Sequence, residues 1–124
     1  MPPGTRFDNI MPEMPVRNLS AAVGFYTKVL GFKQEHLHGD EYAVMRREGV
    51  RIGLKRAEPP DVPAGGGRLY AFVSGIDEFF DAVQASLAPA GGRLVDELAP
   101  RPYGLKDFAI SDPDGNRLGF GEDL

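Results

Sequence analysis

The fold of this chain is decided by its last long stretch, Ser111-Asp112-Pro113-Asp114-Gly115-Asn116-Arg117-Leu118-Gly119-Phe120-Gly121-Glu122. Its first half concentrates turn residues, because proline presets one dihedral, Asp and Asn bond their own backbone, and Gly accepts a positive φ. Strand-like runs lie on either side, at 106–110 and 117–121. The pattern predicts a closing β-hairpin. Its last strand carries Gly119 near the middle and contains no metal-binding side chain.

The composition is that of one folded domain covering residues 1–124, with 26% charged and 42% hydrophobic residues. No apolar run approaches the roughly 20 residues that span a bilayer, and no secretory signal is visible. The absence of cysteine excludes disulfides and thiolate metal sites. We therefore expect a cytoplasmic protein with no membrane partner.

The net charge of −4 argues against nucleic acid as a partner, because phosphate binding requires a basic face. The same charge mildly favours a cationic ligand through long-range attraction.

The first half of the chain has the pattern β-α-β-β-β. Asn18 is placed to cap a helix whose apolar residues recur every three to four positions, and Gly31 is placed to end it. We predict a strand over 10–16, a helix over 18–30, and strands over 32–37, 42–47 and 50–56.

The second half repeats this order after a segment rich in proline and glycine. We predict a strand over 69–73, a helical stripe from Ile76 to Leu87, a strand over 93–97, and the closing hairpin. The chain is thus an α+β protein of two tandem βαβββ modules, at about 8–57 and 68–122, joined by a linker at 58–67.

Two segments resemble signatures of one large superfamily. The first module of that superfamily is similar to two runs here, Pro15-Val16-Arg17-Asn18-Leu19 and Phe25-Tyr26-Thr27-Lys28-Val29-Leu30-Gly31-Phe32. Its closing hairpin is similar to Phe108-Ala109-Ile110-Ser111-Asp112-Pro113-Asp114-Gly115-Asn116 followed by Leu118-Gly119-Phe120. This is the glyoxalase/bleomycin-resistance/extradiol-dioxygenase (vicinal oxygen chelate) superfamily. The resemblance covers nearly the whole chain. It implies that each module curls its sheet into half a barrel, and that a homodimer builds the ligand cavity partly from both subunits.

Function does not follow from this fold, because the superfamily includes metal enzymes and metal-free binding proteins. In the enzymes, four His or Glu ligands come from four strands at one level. Here the motifs align those positions near Met11, Gly53, Ala71 (Tyr70 if the register shifts by one) and Gly119. None is a His, Asp or Glu, so we expect no metal, no other cofactor and no catalytic residue.

Two other groups of polar residues need separate interpretations. Glu13 faces the same cavity by strand alternation, either as the partner of a cationic ligand or as a rim carboxylate paired with Arg51 or Lys55. His36 and His38 could bind metal as a His-x-His pair, but they lie outside the family positions. An exposed strand end explains these histidines more simply.

Within the superfamily, the pattern is most similar to the bleomycin-resistance proteins, small dimers that bind a cationic, flat-ringed glycopeptide without chemistry. Pro12 matches a proline in their N-terminal strand, which is exchanged between subunits. Tyr42 and Tyr103 match aromatic positions that line their cleft and stack on the drug, although half-buried packing residues would look the same. Phe72 and Phe108 are first assigned to the core and are kept as possible ligand contacts.

The function predicted from the sequence is metal-independent sequestration of a cationic, flat-ringed antibiotic in a dimer cleft. One alternative is a metal-dependent lyase, isomerase or oxygenase of the same superfamily, and another is a binder of a different metabolite. The predicted ligand-binding residues are Glu13, Tyr42, Phe72, Tyr103, Phe108 and Gly119.

Overall fold

The computed structural model describes residues 4–124. The first module contains β1 (Glu13–Val16), α1 (Leu19–Lys28), β2 (Lys33–His38), β3 (Tyr42–Arg47) and β4 (Val50–Arg56). The second contains β5 (Arg68–Phe72), α2 (Ile76–Leu87), β6 (Arg93–Pro100), β7 (Leu105–Ser111) and β8 (Arg117–Asp123). Each module forms a four-stranded mixed sheet, in the orders β1-β4-β3-β2 and β5-β8-β7-β6. The predicted α+β fold with two tandem βαβββ modules is confirmed.

Local chemistry explains how the two helices begin. The Asn18 side chain accepts a hydrogen bond from the Ala21 amide at 3.0 Å, which is the predicted cap of α1. Helix α2 instead follows Gly75, which has a φ of 78° and no capping side chain of its own. The Glu122 carboxylate of β8 accepts from the Ile76 amide at 2.9 Å, so the closing strand supplies this cap. Within residues 4–124, neither helix is long and apolar enough to cross a membrane.

Two strands differ from their predicted bounds. The first strand begins at Glu13 rather than at residue 10, so Pro12 and the exposed Ile10 precede it. Pro12 cannot donate to a strand ladder, so its carbonyl only accepts from the Gly53 amide, at 2.9 Å, and the strand begins at Glu13. Strand β6 runs beyond Glu97 to Pro100, with register irregularities on either side of Asp96 that let it continue beside β7.

Each sheet has an inner face in the core and an outer face turned away from the helices. In β3, Ala43 and Met45 are fully buried, whereas the alternate residues Tyr42 and Val44 are only half-buried. The inner faces and both helices share one hydrophobic cluster, which includes Tyr26 of α1 and most of the phenylalanines. The two modules therefore fold around a common core, and the outer faces remain available for ligands.

The closing hairpin is also a joint between the modules. Asp112 and Asn116 are almost completely buried at its turn. The Tyr26 hydroxyl donates to Asp112 at 2.9 Å, and the Asn116 side chain donates to the Pro15 carbonyl and accepts from the Gly67 amide. Burial, followed by the Asp112 charge, raises the pKa of Tyr26 well above its usual range. The turn motif thus connects α1, β1 and the chain before β5.

Candidate ligand-binding site

The outer face of the second sheet carries a cavity of about 550 Å³. Its edge strand, β5, presents Arg68, Tyr70 and Phe72 on that face, because alternate residues of a strand point to the same side. Tyr103 reaches over the cavity from the turn between β6 and β7 and is 63% exposed. The principal polar and aromatic lining residues are Arg68, Tyr70, Asp96, Arg101, Tyr103 and Asp107.

Asp107 organises this cavity. Its carboxylate accepts from the Tyr70 hydroxyl at 2.8 Å, from the Arg101 Nε at 2.7 Å, and from the Tyr103 hydroxyl. Burial raises the pKa of Asp107, but the hydrogen bonds from Tyr103, Arg101 and Tyr70 outweigh it and hold the pKa below its usual value. Burial and the bond to Asp107 raise the pKa of Tyr70 to about 12. One ionised carboxylate therefore orients two neutral phenols and a guanidinium.

Glycines on β8 make room for Tyr70. A Cβ atom at Gly119 would lie 2.9 Å from the Tyr70 ring, and one at Gly121 would lie 2.1 Å from its hydroxyl. Such distances are too short for non-bonded atoms, so a side chain at either position would displace the ring. The sequence singled out Gly119 as a position that lacks a metal ligand. In the structure, the Tyr70 ring packs against this glycine.

The outer face of the first sheet repeats this arrangement. The Tyr42 hydroxyl donates to Glu13 at 2.7 Å, and a Cβ atom at Gly53 would lie 2.5 Å from that hydroxyl. Burial and the bond to Glu13 raise the pKa of Tyr42 to about 12. The predicted residues Glu13 and Tyr42 are therefore in direct contact.

Strand register defines which residues lie at one level in the β1–β4 and β5–β8 ladders. Glu13 pairs with Gly53 in the parallel β1–β4 ladder, and Tyr70 pairs with Gly119 in the β5–β8 ladder. Met11 precedes β1, so Glu13 rather than Met11 lies beside Gly53 in the ladder. In the second ladder Tyr70, rather than Ala71, lies opposite Gly119.

These four positions supply a single carboxylate, and that carboxylate already accepts a hydrogen bond from a phenol. Within residues 4–124, no three His, Cys, Asp or Glu side chains are grouped closely enough to hold a metal ion. The donor set does not fit the divalent metal of the superfamily's enzymes, which requires several convergent imidazole or carboxylate ligands.

The two suggested ion-pair partners of Glu13 are engaged elsewhere. Arg51 pairs with Glu35 at 2.8 Å, and Lys55 pairs with Asp61 at 3.3 Å. Glu13 is exposed and forms no ion pair with any residue of the segment 4–124. It is therefore a carboxylate with free capacity on the outer face of the first sheet.

The two phenylalanine candidates lie on opposite faces. Phe72 is 72% exposed and its ring contacts Tyr70 edge-on at 5.3 Å between centroids, so its assignment to the core was wrong. Phe108 is 1% exposed and packs against Phe79, Phe80 and Phe120, as a core residue does. Only Phe72 presents its ring to the outer face.

The histidines remain on the exposed strand β2. His36 and His38 are both exposed, and the strand is exposed along its whole length. This arrangement agrees with the simpler interpretation of an exposed strand end.

Sequence reasoning did not single out Asp107 and Arg101 as residues of this cavity, and it considered Tyr70 only for metal alignment. One signal was available, because Asp107 interrupts the apolar end of β7 and a buried carboxylate requires partners. The Gly119 and Gly121 alternation was a second signal, since glycine within a strand indicates a close approach by another group.

Comparison with known proteins identifies the family. Residues 6–120 match the sequence profile of the Glyoxalase/Bleomycin resistance protein/Dioxygenase superfamily. Bleomycin resistance proteins of Geobacillus stearothermophilus and Staphylococcus aureus are 30% identical over 127 aligned positions, covering 89% of this chain and 92% of theirs. The chain belongs to this superfamily.

Solved structures share the fold at lower sequence identity. The bleomycin-binding protein of Streptomyces verticillus, solved with copper(II)-bleomycin, has a TM-score of 0.78 and 23% identity, with 94% of this chain and 96% of that chain covered. The bleomycin resistance determinant of transposon Tn5 has a TM-score of 0.76 and 19% identity, with 94% and 98% covered. TioX of Micromonospora sp. ML1 has a TM-score of 0.74 and 24% identity, with 95% and 100% covered.

Proposed function

We propose that this protein is a cytoplasmic, metal-independent binding protein of the bleomycin-resistance type, which sequesters a cationic, flat-ringed antibiotic in a dimer cleft. The observation that carries the proposal is the pair of tyrosines, Tyr70 and Tyr103, that lines a cavity of about 550 Å³, with the Phe72 ring edge-on against Tyr70. Aromatic rings on an exposed surface bind planar heterocycles by stacking and by burial of apolar area. The likeness to bleomycin resistance proteins supports the same ligand class.

Metal independence is supported by the two tyrosines that occupy the space beside Gly53 and Gly119, the positions aligned with metal ligands of the superfamily's enzymes. The Tyr70 ring lies over Gly119, and the Tyr42 hydroxyl lies over Gly53. The space in which two metal ligands would stand is thus taken by phenols that donate to carboxylates. Phenols with a raised pKa bind weakly to metal ions, because coordination requires loss of the proton.

Glu13 is the residue proposed to bind the cationic part of the ligand. This carboxylate is exposed, and its described contact is a hydrogen bond from the neutral Tyr42 hydroxyl. A guanidinium or ammonium group could pair with the free lone pairs of Glu13. The net charge of −4 would assist the approach of such a ligand.

The dimer is supported by the exposed outer faces and by the N-terminal segment before β1. Phe7 and Ile10 are 77% and 86% exposed, which is unusual for two large apolar side chains so close in sequence. A second copy covering these residues would remove that apolar area from water. Analytical ultracentrifugation tests this part, and a monomer at all micromolar concentrations would contradict it.

The central experiment is titration with copper(II)-bleomycin, followed by tyrosine fluorescence and by calorimetry. Tyrosine reports directly because the chain has 4 Tyr and no Trp. We expect saturable binding at micromolar ligand. Glu13→Gln should weaken binding, whereas Glu48→Gln, which changes an exposed carboxylate on the β3–β4 turn, should not.

Metal analysis of the purified protein separates binder from enzyme. We expect less than about one divalent ion per ten chains after dialysis without chelator. About one tightly bound ion per chain would contradict metal independence, and no response to copper(II)-bleomycin would remove bleomycin as the ligand.

A further inference from the structure

Three arginines line the cavity of the second sheet, and two of them pair with carboxylates of the same lining. Arg101 pairs with Asp107 at 2.7 Å, and Arg117 pairs with Asp96. Arg68 lines the same cavity but forms no ion pair and no side-chain hydrogen bond within residues 4–124. The two acidic groups of the lining are therefore neutralised, and one positive charge is left over.

The position of Arg68 strengthens this electrostatic imbalance. Arg68 and Arg117 are directly paired across the β5–β8 ladder, and both belong to the outer face. Two like charges held close together repel each other by Coulomb's law. Asp96 compensates Arg117, so an anion bound by Arg68 would offset the positive charge that remains.

Tyr70 lies two residues along β5 from Arg68, on the same face and in the same cavity. Tyr103 closes the cavity from above the Asp107 carboxylate. A flat ring lying against these two tyrosines would place a substituent at its edge toward Arg68.

We propose that the second-sheet cavity takes an aromatic acid, with the ring against Tyr70 and Tyr103 and an oxyanion, carboxylate or sulfonate, on Arg68. This inference rests on the proposed function, since it uses the same cavity, and it specifies the ligand class further. Guanidinium groups bind planar oxyanions through paired hydrogen bonds, which gives both affinity and orientation. A ligand that also reaches Glu13 would carry opposite charges at its two ends.

The test compares two probes with the same ring system, the anion naphthalene-2-sulfonate and neutral naphthalene-2-sulfonamide, in which an NH2 group replaces one sulfonate oxygen. Each is titrated by calorimetry into the wild-type chain, Arg68→Ala and Arg93→Ala. Arg93 is a matched control, because it is an exposed strand arginine outside the cavity lining and forms no ion pair within residues 4–124. Sedimentation of each variant reports its oligomeric state.

We expect the sulfonate to bind the wild type at least about fivefold more tightly than the sulfonamide, as one charge-assisted contact would give. Arg68→Ala should abolish this preference and leave the sulfonamide affinity unchanged, while Arg93→Ala should keep the preference. Equal binding of the probes, binding of neither, or a preference that survives Arg68→Ala would overturn the proposal. A change of oligomeric state in Arg68→Ala would also overturn it, by assigning Arg68 to contact between copies.

The copper(II)-bleomycin titration distinguishes this proposal from the one on which it rests. If bleomycin fails to bind but the sulfonate preference depends on Arg68, the antibiotic is wrong and the oxyanion subsite stands. If bleomycin binds and the sulfonate shows no preference, the binding function stands and the subsite is wrong.

Discussion

The Tyr70 hydroxyl lies 2.8 Å from the Asp107 carboxylate, across the outer face of the second sheet. Tyr42 and Glu13 form the corresponding pair in the first sheet, with the phenol and the carboxylate on exchanged strands. In the first sheet the edge strand supplies the carboxylate, and in the second the edge strand supplies the phenol. The duplicated fold has therefore kept the contact while exchanging the residues that make it.

Tyr103 is expected to contribute to ligand binding through its ring. Tyr103→Ala should weaken binding of a flat aromatic ligand by about 1–3 kcal/mol, because the ligand loses stacking and burial. The oligomeric state should not change, since Tyr103 lies on a turn and is 63% exposed. Calorimetry with copper(II)-bleomycin measures the change. Tyr103→Phe is the control that keeps the ring, and an unchanged affinity in Tyr103→Ala would disprove the stacking role.

Asp107 should make stability depend on acid pH. Its pKa in the folded protein lies below its usual value of about 3.9, so the folded state binds the proton less readily than the unfolded state. The stabilisation is fully present above about pH 4 and is lost as the pH falls through the folded pKa. Between pH 7 and pH 3, the free energy of unfolding measured with urea should therefore fall less for Asp107→Asn than for the wild type. Parallel curves for the two proteins would contradict this role.

Gly121 should be intolerant of a side chain as long as Tyr70 is present. Gly121→Ala places a Cβ 2.1 Å from the Tyr70 hydroxyl, which forces the ring away from Asp107. We expect a loss of about 1–3 kcal/mol in the free energy of unfolding, typical of overpacking. The double variant Gly121→Ala, Tyr70→Ala should be less destabilised than the sum of the single changes. Additive effects in urea unfolding would show that the two residues do not compete for space.

Asn116 should be important for joining the two modules. Asn116→Ala removes buried hydrogen bonds to Pro15, Gly67 and Asp112, and we expect a loss of at least about 1–3 kcal/mol of unfolding free energy. Arg17→Ala is the matched control, because it removes only an exposed ion pair at the same turn and should cost less than about 1 kcal/mol. Similar losses of unfolding free energy in the two variants would contradict the role of Asn116 in joining the modules.

Much of the fold could be predicted because it depends on local patterns. Turn residues at 112–116, the cap at Asn18 and the positive φ at Gly31 are each dictated by neighbouring residues. The repeated order of strands and helices then indicated two modules. The predicted start of β1 was too early because proline has no backbone N–H to donate to a strand ladder. A count of apolar residues does not register that missing donor.

The sequence by itself determined the duplicated fold, the family and the aromatic candidates Tyr42 and Tyr103. Only the tertiary structure decided that Tyr103 and Tyr70 share the carboxylate of Asp107, and that Phe72 faces outward while Phe108 faces the core. The physical reason is that strand register and the packed face of each sheet are set by pairing between distant segments. A shift of one residue moves a side chain to the opposite face, and no local pattern specifies that choice.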